Sequence, residues 1–271
     1  MKRLIITLFS TLLSAGPLYA NSKTSGIAIQ KIYEDYSLEK ILSLVKSGDD
    51  NAQYDLSERY RYGKSGLQKD QSKAVKWVKL AAEQKNSGAQ NSLGYYYNNG
   101  LGLERDQIKA LANYKLAAEQ GHRIGIFNVG IAYMMGKGVK VDQQKAAKLF
   151  KKAADFGYIP AKVRLGYAYD EGAGIPQNRK KAFKLYQEAA LLGEPNGQNN
   201  LAGVYYSGKG APANYVLAMM WYTVSSMNGN GYATRHGAYQ YLVNNMSGSD
   251  ISKAEKLAEQ CLNSHYKQCA K

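Results

Sequence analysis

The chain has 271 residues and a formal net charge of +15, from 36 Lys or Arg against 21 Asp or Glu. Its 45% hydrophobic content supplies a packed core and excludes a disordered polyampholyte, and a mean hydropathy of −0.45 excludes a multi-span membrane protein. Two cysteines exclude a disulfide-stapled mini-scaffold and most zinc frameworks, while 27 Gly against 5 Pro and 23 Tyr against 5 Phe indicate residue types put to a repeated use.

The chain opens on an export address. Lys2 and Arg3 precede an apolar stretch from Leu4 to Leu13, followed by Ser14-Ala15-Gly16-Pro17-Leu18-Tyr19-Ala20 and the polar Asn21. This is the layout of a secretory signal peptide over residues 1–20, cleaved near Ala20. The apolar run is shorter than the about 20 residues that a membrane span requires. Loss of Lys2 and Arg3 lowers the net charge from +15 to +13, and the mature protein is expected in the periplasm or outside the cell. Residues 21–49 form an N-terminal segment with a capping helix. There Ile32, Tyr36, Ile41 and Leu44 share helical spacing between Ile27 and Lys46, and Gly48 is the stop.

Residues 50–230 repeat. The frames beginning at Leu93, Val129, Leu165 and Leu201 are spaced by 36 residues without a gap, and an earlier copy runs from Asp50 to Asn86 with one extra loop residue at Lys64-Ser65. Each copy decodes as a helix hairpin. In the second copy Ala89, Leu93, Gly94 and Tyr97 share one helical face. The pairs Gly100/Gly102, Gly136/Gly138, Gly172/Gly174 and Gly208/Gly210 end the first helices. Asp106, Asp142, Asn178 and Asn214 are N-caps for the second helices, which Gly121, Gly157, Gly193 and Gly229 terminate. One hairpin buries too little surface to stand alone, so the copies stack into an α-solenoid.

Residues 231–271 read as a degenerate sixth hairpin and a capping helix. Its first helix spans Ala233 to Val243. Ser249 caps the second, which turns Ala254, Leu257, Ala258 and Cys261 inward. Cys261 and Cys269 stand near the end of an exported chain, where a disulfide is the expected state. Nearby His265 does not complete a metal set, because two thiols and one imidazole lack a fourth ligand.

These copies resemble the Sel-1-like repeat family, relatives of the tetratricopeptide repeats. The family pattern is Leu-Gly-x-x-Tyr-x-x-Gly-x-Gly-x-x-x-Asp-x-x-Lys-Ala-x-x-x-Tyr-x-x-Ala-Ala-x-x-Gly. Copies two to four match it at nearly every position. The first departs at Ser57 and Lys85, the fifth at Ala202, Ser225 and Ser226. The resemblance covers about Asp50 to Asn230. It implies an all-α, right-handed α-solenoid of about five hairpins with N- and C-terminal capping helices, working as a protein-binding scaffold. It also admits two narrower roles. One is an immunity protein that neutralises a secreted toxic effector such as a phospholipase. The other is a secreted virulence or host-interaction factor.

If the first helices line the concave face, as in related helical repeats, the frame identifies the groove: Tyr54 and Tyr62; Asn91, Tyr95, Asn98 and Asn99; Phe127, Ile131, Met134 and Met135; Val163, Tyr167, Asp170 and Glu171; and Tyr206. The third copy supplies four large apolar side chains. Aromatic and Met anchors among asparagines resemble a binding hot spot, and asparagine amides can pair with an extended peptide backbone. The expected partner is a protein or peptide segment, bound by a monomer. Lysines along the second helices form a basic outer stripe that suits an anionic envelope surface (lipid, cell-wall polymer or an acidic protein). Export removes nucleic acid as a partner.

No catalytic constellation emerges. His122, His236 and His265 are scattered, and no Gly-x-Ser-x-Gly elbow is present. Gly63-Lys64-Ser65 lacks the first glycine of a phosphate loop, since Glu58 stands there. Asp70, Asp106 and Asp142 recur once per copy as caps. His122 follows a helix-ending Gly121, where a cation suits the helix dipole. The expectation is a protein that is not an enzyme and holds no cofactor or metal.

Overall fold

The computed structural model describes residues 33–231, 233 and 237–269. The leader, Ile27, Ile32 and His236 lie outside the described residues. Among these, thirteen helices follow one another and no strand forms. A short helix α1 (Leu38–Lys46) precedes five hairpins. They are α2 (Asp50–Tyr62) with α3 (Gln71–Glu83), α4 (Ser87–Asn99) with α5 (Gln107–Glu119), α6 (Arg123–Met135) with α7 (Gln143–Asp155), α8 (Ile159–Glu171) with α9 (Arg179–Leu191), and α10 (Pro195–Ser207) with α11 (Tyr215–Met227). Helices α12 (Gly237–Asn245) and α13 (Gly248–Asn263) close the stack. Every second helix also packs on the first helix of the next hairpin, so the chain is an all-α repeat solenoid.

The hairpin is written into its punctuation. Gly63, Gly100, Gly136, Gly172 and Gly208 stop the first helices with φ between 67° and 72°, a left-handed conformation that costs glycine least. The second glycine of each pair answers to a different constraint. A Cβ on Gly174 would collide with the Gln143 backbone of the preceding hairpin. The side chains of Asp70, Asp106, Asp142, Asn178 and Asn214 then accept hydrogen bonds from backbone N–H groups three residues on, at 2.9–3.0 Å. Each cap satisfies a donor that the helix itself leaves open.

Packing explains the first copy's departure at Ser57. A Cβ on Gly166 would lie 2.6 Å from the Tyr186 ring, so the Leu-Gly pair makes room for the second helix's tyrosine. In the first hairpin the residue in that tyrosine's place is the smaller, fully buried Val78. Ser57 fits there, and its hydroxyl donates to the Ala74 carbonyl at 2.8 Å. Lys85 has no such compensation. Its φ is 68° where later hairpins carry Gly121, Gly157 and Gly193.

The two ends differ from the expected caps. The helix that carries Ile41 and Leu44 begins at Leu38, where Ser37 turns the chain and its Oγ accepts from Lys40 N at 3.2 Å. Tyr36 therefore lies outside the helix that carries Ile41 and Leu44. The first helix of the closing pair begins at Gly237. The last helix is capped by Ser247, not Ser249: Ser247 Oγ accepts from Asp250 N at 3.1 Å and donates to the Asp250 carboxylate at 2.8 Å, which places Ser249 inside the first turn. Helices α12 and α13 cover α11, whose Met219, Met220, Trp221, Tyr222 and Val224 are all buried. Cys261 and Cys269 are joined by a disulfide and are both buried, which ties the tail to α13.

Candidate functional site

The first helices of successive hairpins lie side by side, and the repeat frame sorts their side chains into rows. One row comprises Tyr54, Asn91, Phe127 and Val163. It joins hairpins to each other and does not open into a groove. The Tyr54 hydroxyl shares a 3.1 Å hydrogen bond with Ser92 Oγ, and its ring covers Gly88. Asn91 Oδ1 accepts from Asn128 Nδ2 at 2.9 Å. The Phe127 ring sits 5.6 Å from Phe150 and 5.0 Å from Tyr158. Val163 is only 7% exposed and belongs to the core beneath α10 and α11. The groove expected at Val163 is thus corrected: the row faces the next first helix, so its larger members fill the seam between hairpins. Phe127 is likewise a packing residue, and its loss would cost stability as well as surface.

The remaining rows reach the surface. Tyr62, Tyr95, Met135 and Tyr167 are 55%, 39%, 56% and 48% exposed, and Asn99 and Glu171 are also exposed. Asn98, Ile131, Met134, Asp170 and Tyr206 are half-buried among them. Tyr95, Asn98, Asn99 and Ile131 come together around a cleft of about 180 Å³ where α4, α5 and α6 meet, with Asn128 and Lys137 on its rim. Toward the N-terminal end, the Arg61 guanidinium lies 4.9 Å from the Tyr62 ring centroid, 4.8 Å from Tyr95 and 5.4 Å from Tyr96. Arg61 Nη1 donates to Glu58 Oε1 at 3.4 Å. A cation stacked on several tyrosine rings fixes their orientation at an exposed surface. Burial pushes the Glu58 carboxyl above the usual carboxylate range, against the pull of Arg61. Toward the other end, burial also raises Asp170, with Glu171 beside it adding to the effect and Arg179, at 3.7 Å, opposing it. Tyr206 closes this end with Tyr215 and Tyr241, each ring pair 5.9 Å apart.

Two recurring devices escape a motif reading. The consensus lysines Lys73, Lys109, Lys145 and Lys181 lie over Tyr60, Tyr97, Tyr133 and Tyr169 of their own hairpins, at 5.3, 5.6, 4.3 and 5.3 Å. These lysines are therefore part of the hairpin. The second device is a buried first-helix glutamine that meets an amide at the end of the second helix. Gln53 accepts from Gln84 at 2.9 Å, Gln90 from Gln120 at 2.7 Å, and Gln198 from Asn228 at 2.8 Å. The same frame position recurs in all three, so aligning the copies by polar residues would have found them.

His122 departs from the sequence reading. Its Nδ1 accepts from Gly125 N at 3.1 Å, which makes it the N-cap of α6. Burial, with Arg123 adding to it, lowers its pKa to about 4. It is a neutral acceptor at a helix start, not a cation serving the helix before it. Among the described residues, no group of His, Cys, Asp and Glu is placed to hold a metal ion. No described helix is long and apolar enough to cross a membrane.

The Sel1 repeat family model matches residues 50–86, 87–122, 124–158, 159–194 and 195–230. The chain belongs to the Sel1 repeat family. Proteins of this family are protein-binding scaffolds. No curated protein matches the chain. Among solved structures, it is similar to a Sel1 repeat protein from Oxalobacter formigenes, with 28% identity, a TM-score of 0.67, and coverage of 87% of this chain and 98% of that one. It is also similar to a protective antigen with an SLR fold from uropathogenic Escherichia coli strains, at 24% identity and a TM-score of 0.57, covering 91% of this chain and 63% of that one. An immunity protein from Pseudomonas aeruginosa shares the fold at 18% identity and a TM-score of 0.50, over 78% of this chain and 83% of that one.

Proposed function

We propose that this Sel1 repeat protein is an exported, non-catalytic, monomeric adaptor whose first-helix face holds a segment of another protein. The observation that carries the reading is a set of exposed side chains at two frame positions, Tyr62 with Met135 and Tyr95 with Tyr167, which internal packing leaves partly free while their neighbours in the frame join hairpins. Aromatic and Met side chains with polar amides around them are the composition of an interface core. The leader-like residues 1–20 and a buried disulfide both suit an oxidising compartment outside the cytoplasm.

A photo-crosslinking residue placed at Tyr95 in cells making the protein tests this directly. The expected outcome is a discrete crosslinked partner from Tyr95 and from Tyr167, and none from the outward-facing Lys148. Equal labelling from all three positions would remove the groove reading. A narrower role is inhibition of a secreted toxic effector such as a phospholipase, a reading supported by the shared fold of the Pseudomonas aeruginosa immunity protein. It predicts that the crosslinked partner is one toxic enzyme and that adding the purified protein stops its activity. An adaptor instead yields envelope components.

A further inference from the structure

The outward face of the second helices carries charge that folding does not account for. No acidic residue occupies the first turn of α3, α5, α7 or α9, and Glu83, Glu119 and Asp155 are the last residues of three of them. The N-cap anions Asp70, Asp106 and Asp142 suit the helix dipole, whereas the terminal Glu83, Glu119 and Asp155 oppose it. The consensus lysines near the N-termini are held by their tyrosine rings. Six others, Lys79, Lys115, Lys148, Lys152, Lys180 and Lys184, make no ion pair among the described residues. They recur by frame: Lys79 and Lys115 share one position, Lys148 and Lys184 another. The result is a stripe across four hairpins.

Apolar side chains are set into the same stripe. Leu80 and Leu116 are 37% and 46% exposed, and Ile108 is 72% exposed. In the frame, Leu80 and Leu116 share their position with Lys152 and with Glu188, which pairs with Lys162, and Ile108 shares its position with Lys180. Unpaired ammonium groups and exposed hydrocarbon thus stand side by side on this face. An anionic polymer would engage the lysines and leave the leucines wet. A bilayer with anionic headgroups takes both, because lysine stems lie along apolar surface while their ammonium groups reach the phosphates.

We propose that this face docks on an anionic lipid bilayer, with the lysines at headgroup phosphates and Leu80, Ile108 and Leu116 reaching the acyl boundary. The first helices, in the other layer of each hairpin, then point away from the membrane and stay open. The proposal is independent of what the first-helix face binds.

Sedimentation of the purified protein with phosphatidylglycerol–phosphatidylcholine vesicles, against pure phosphatidylcholine, tests it. The protein is expected to pellet with the anionic vesicles and to be largely released at about 1 M salt, where screening acts within a few ångströms. The triple variant Lys115→Glu, Lys148→Glu, Lys184→Glu is expected to weaken binding about tenfold or more. A charge-matched control, Lys64→Glu, Lys140→Glu, Lys209→Glu, changes exposed loop lysines and is expected to retain most of the binding. Leu80→Ser with Leu116→Ser should weaken the binding that survives moderate salt. Circular dichroism melts of each variant separate lost docking from lost folding. Three results overturn the proposal: no pelleting with anionic vesicles, equal loss in the two triple variants, or binding to soluble polyglutamate that matches binding to vesicles.

Discussion

The second hairpin and the third occupy the same frame and are closed by different chemistry. In the second, Gln90 is buried, donates to the Ala82 carbonyl at 3.4 Å and accepts from Gln120, whose amide also donates to the Lys85 carbonyl at 3.0 Å. In the third, the equivalent residues are Ile126, fully buried, and Phe156, in one hydrocarbon cluster with Ala153 and Ala161. The backbone geometry is shared, so the stack does not require the amides. The fourth hairpin uses neither pair: Lys162 turns to Glu188 and Leu192 is exposed, so what the seam requires is that any polar group buried there keeps a partner. A buried amide with its partner costs little, and one without it costs its full desolvation.

The sharpest way to break the comparison is to orphan one side. Gln198 in the fifth hairpin is fully buried between Asn228 and the Ala190 carbonyl, and Gln198→Ala should cost about 2–4 kcal/mol in denaturant unfolding, from lost bonds and the cavity together. Ile126→Gln should cost about 2 kcal/mol, because it buries an amide beside a phenyl ring. Adding Phe156→Gln should recover roughly 1 kcal/mol of that in a double-mutant cycle. Strict additivity would show that the two positions are not coupled and that the hairpins' difference is incidental.

The seams on either side of the second hairpin differ in titration too. Asn86 caps α4, and His122 caps α6. An unfolded histidine takes up a proton near pH 6.5, whereas folded His122 resists until about 4. Its neutral-cap contribution is therefore full above about pH 6.5 and is lost as the pH falls toward about 4. His122→Asn keeps the acceptor without the titration. The drop in Tm between pH 7 and 4.5 should shrink in this variant, and an unchanged drop would assign the acid sensitivity elsewhere. The smallest effect is expected at Lys85, left-handed where its counterpart is Gly121. Lys85→Gly should gain roughly 0.5–1 kcal/mol, the relief of left-handed strain less the glycine entropy.

Much of the fold is legible because its signals are local. A cap, a glycine stop and an apolar face are all contained within a few residues, and their recurrence shows that they matter. The candidate site is legible only in part. Val163 and Tyr167 both stand on the first helix of one hairpin, yet one is buried in the seam and the other is half exposed. Helical spacing gives the face of a helix but not how far the next hairpin covers it. His122 fails for the same reason: its role follows from the seam around it, not from the glycine before it. Ser247 against Ser249 is a choice between two adequate caps, decided by which one reaches Asp250.

The proposed role rests on the exposed first-helix tyrosines, with Arg61 stacked on Tyr62 and Tyr95 at one end, holding a protein partner. Titration calorimetry of the crosslinked partner, purified, against wild type and Tyr95→Ala/Tyr167→Ala measures it most directly. Affinity is expected to weaken about tenfold or more, which is about 1.4 kcal/mol, with a thermal midpoint shifted by only a few degrees because neither ring belongs to the buried core. Unchanged affinity in a variant that folds like wild type would contradict it.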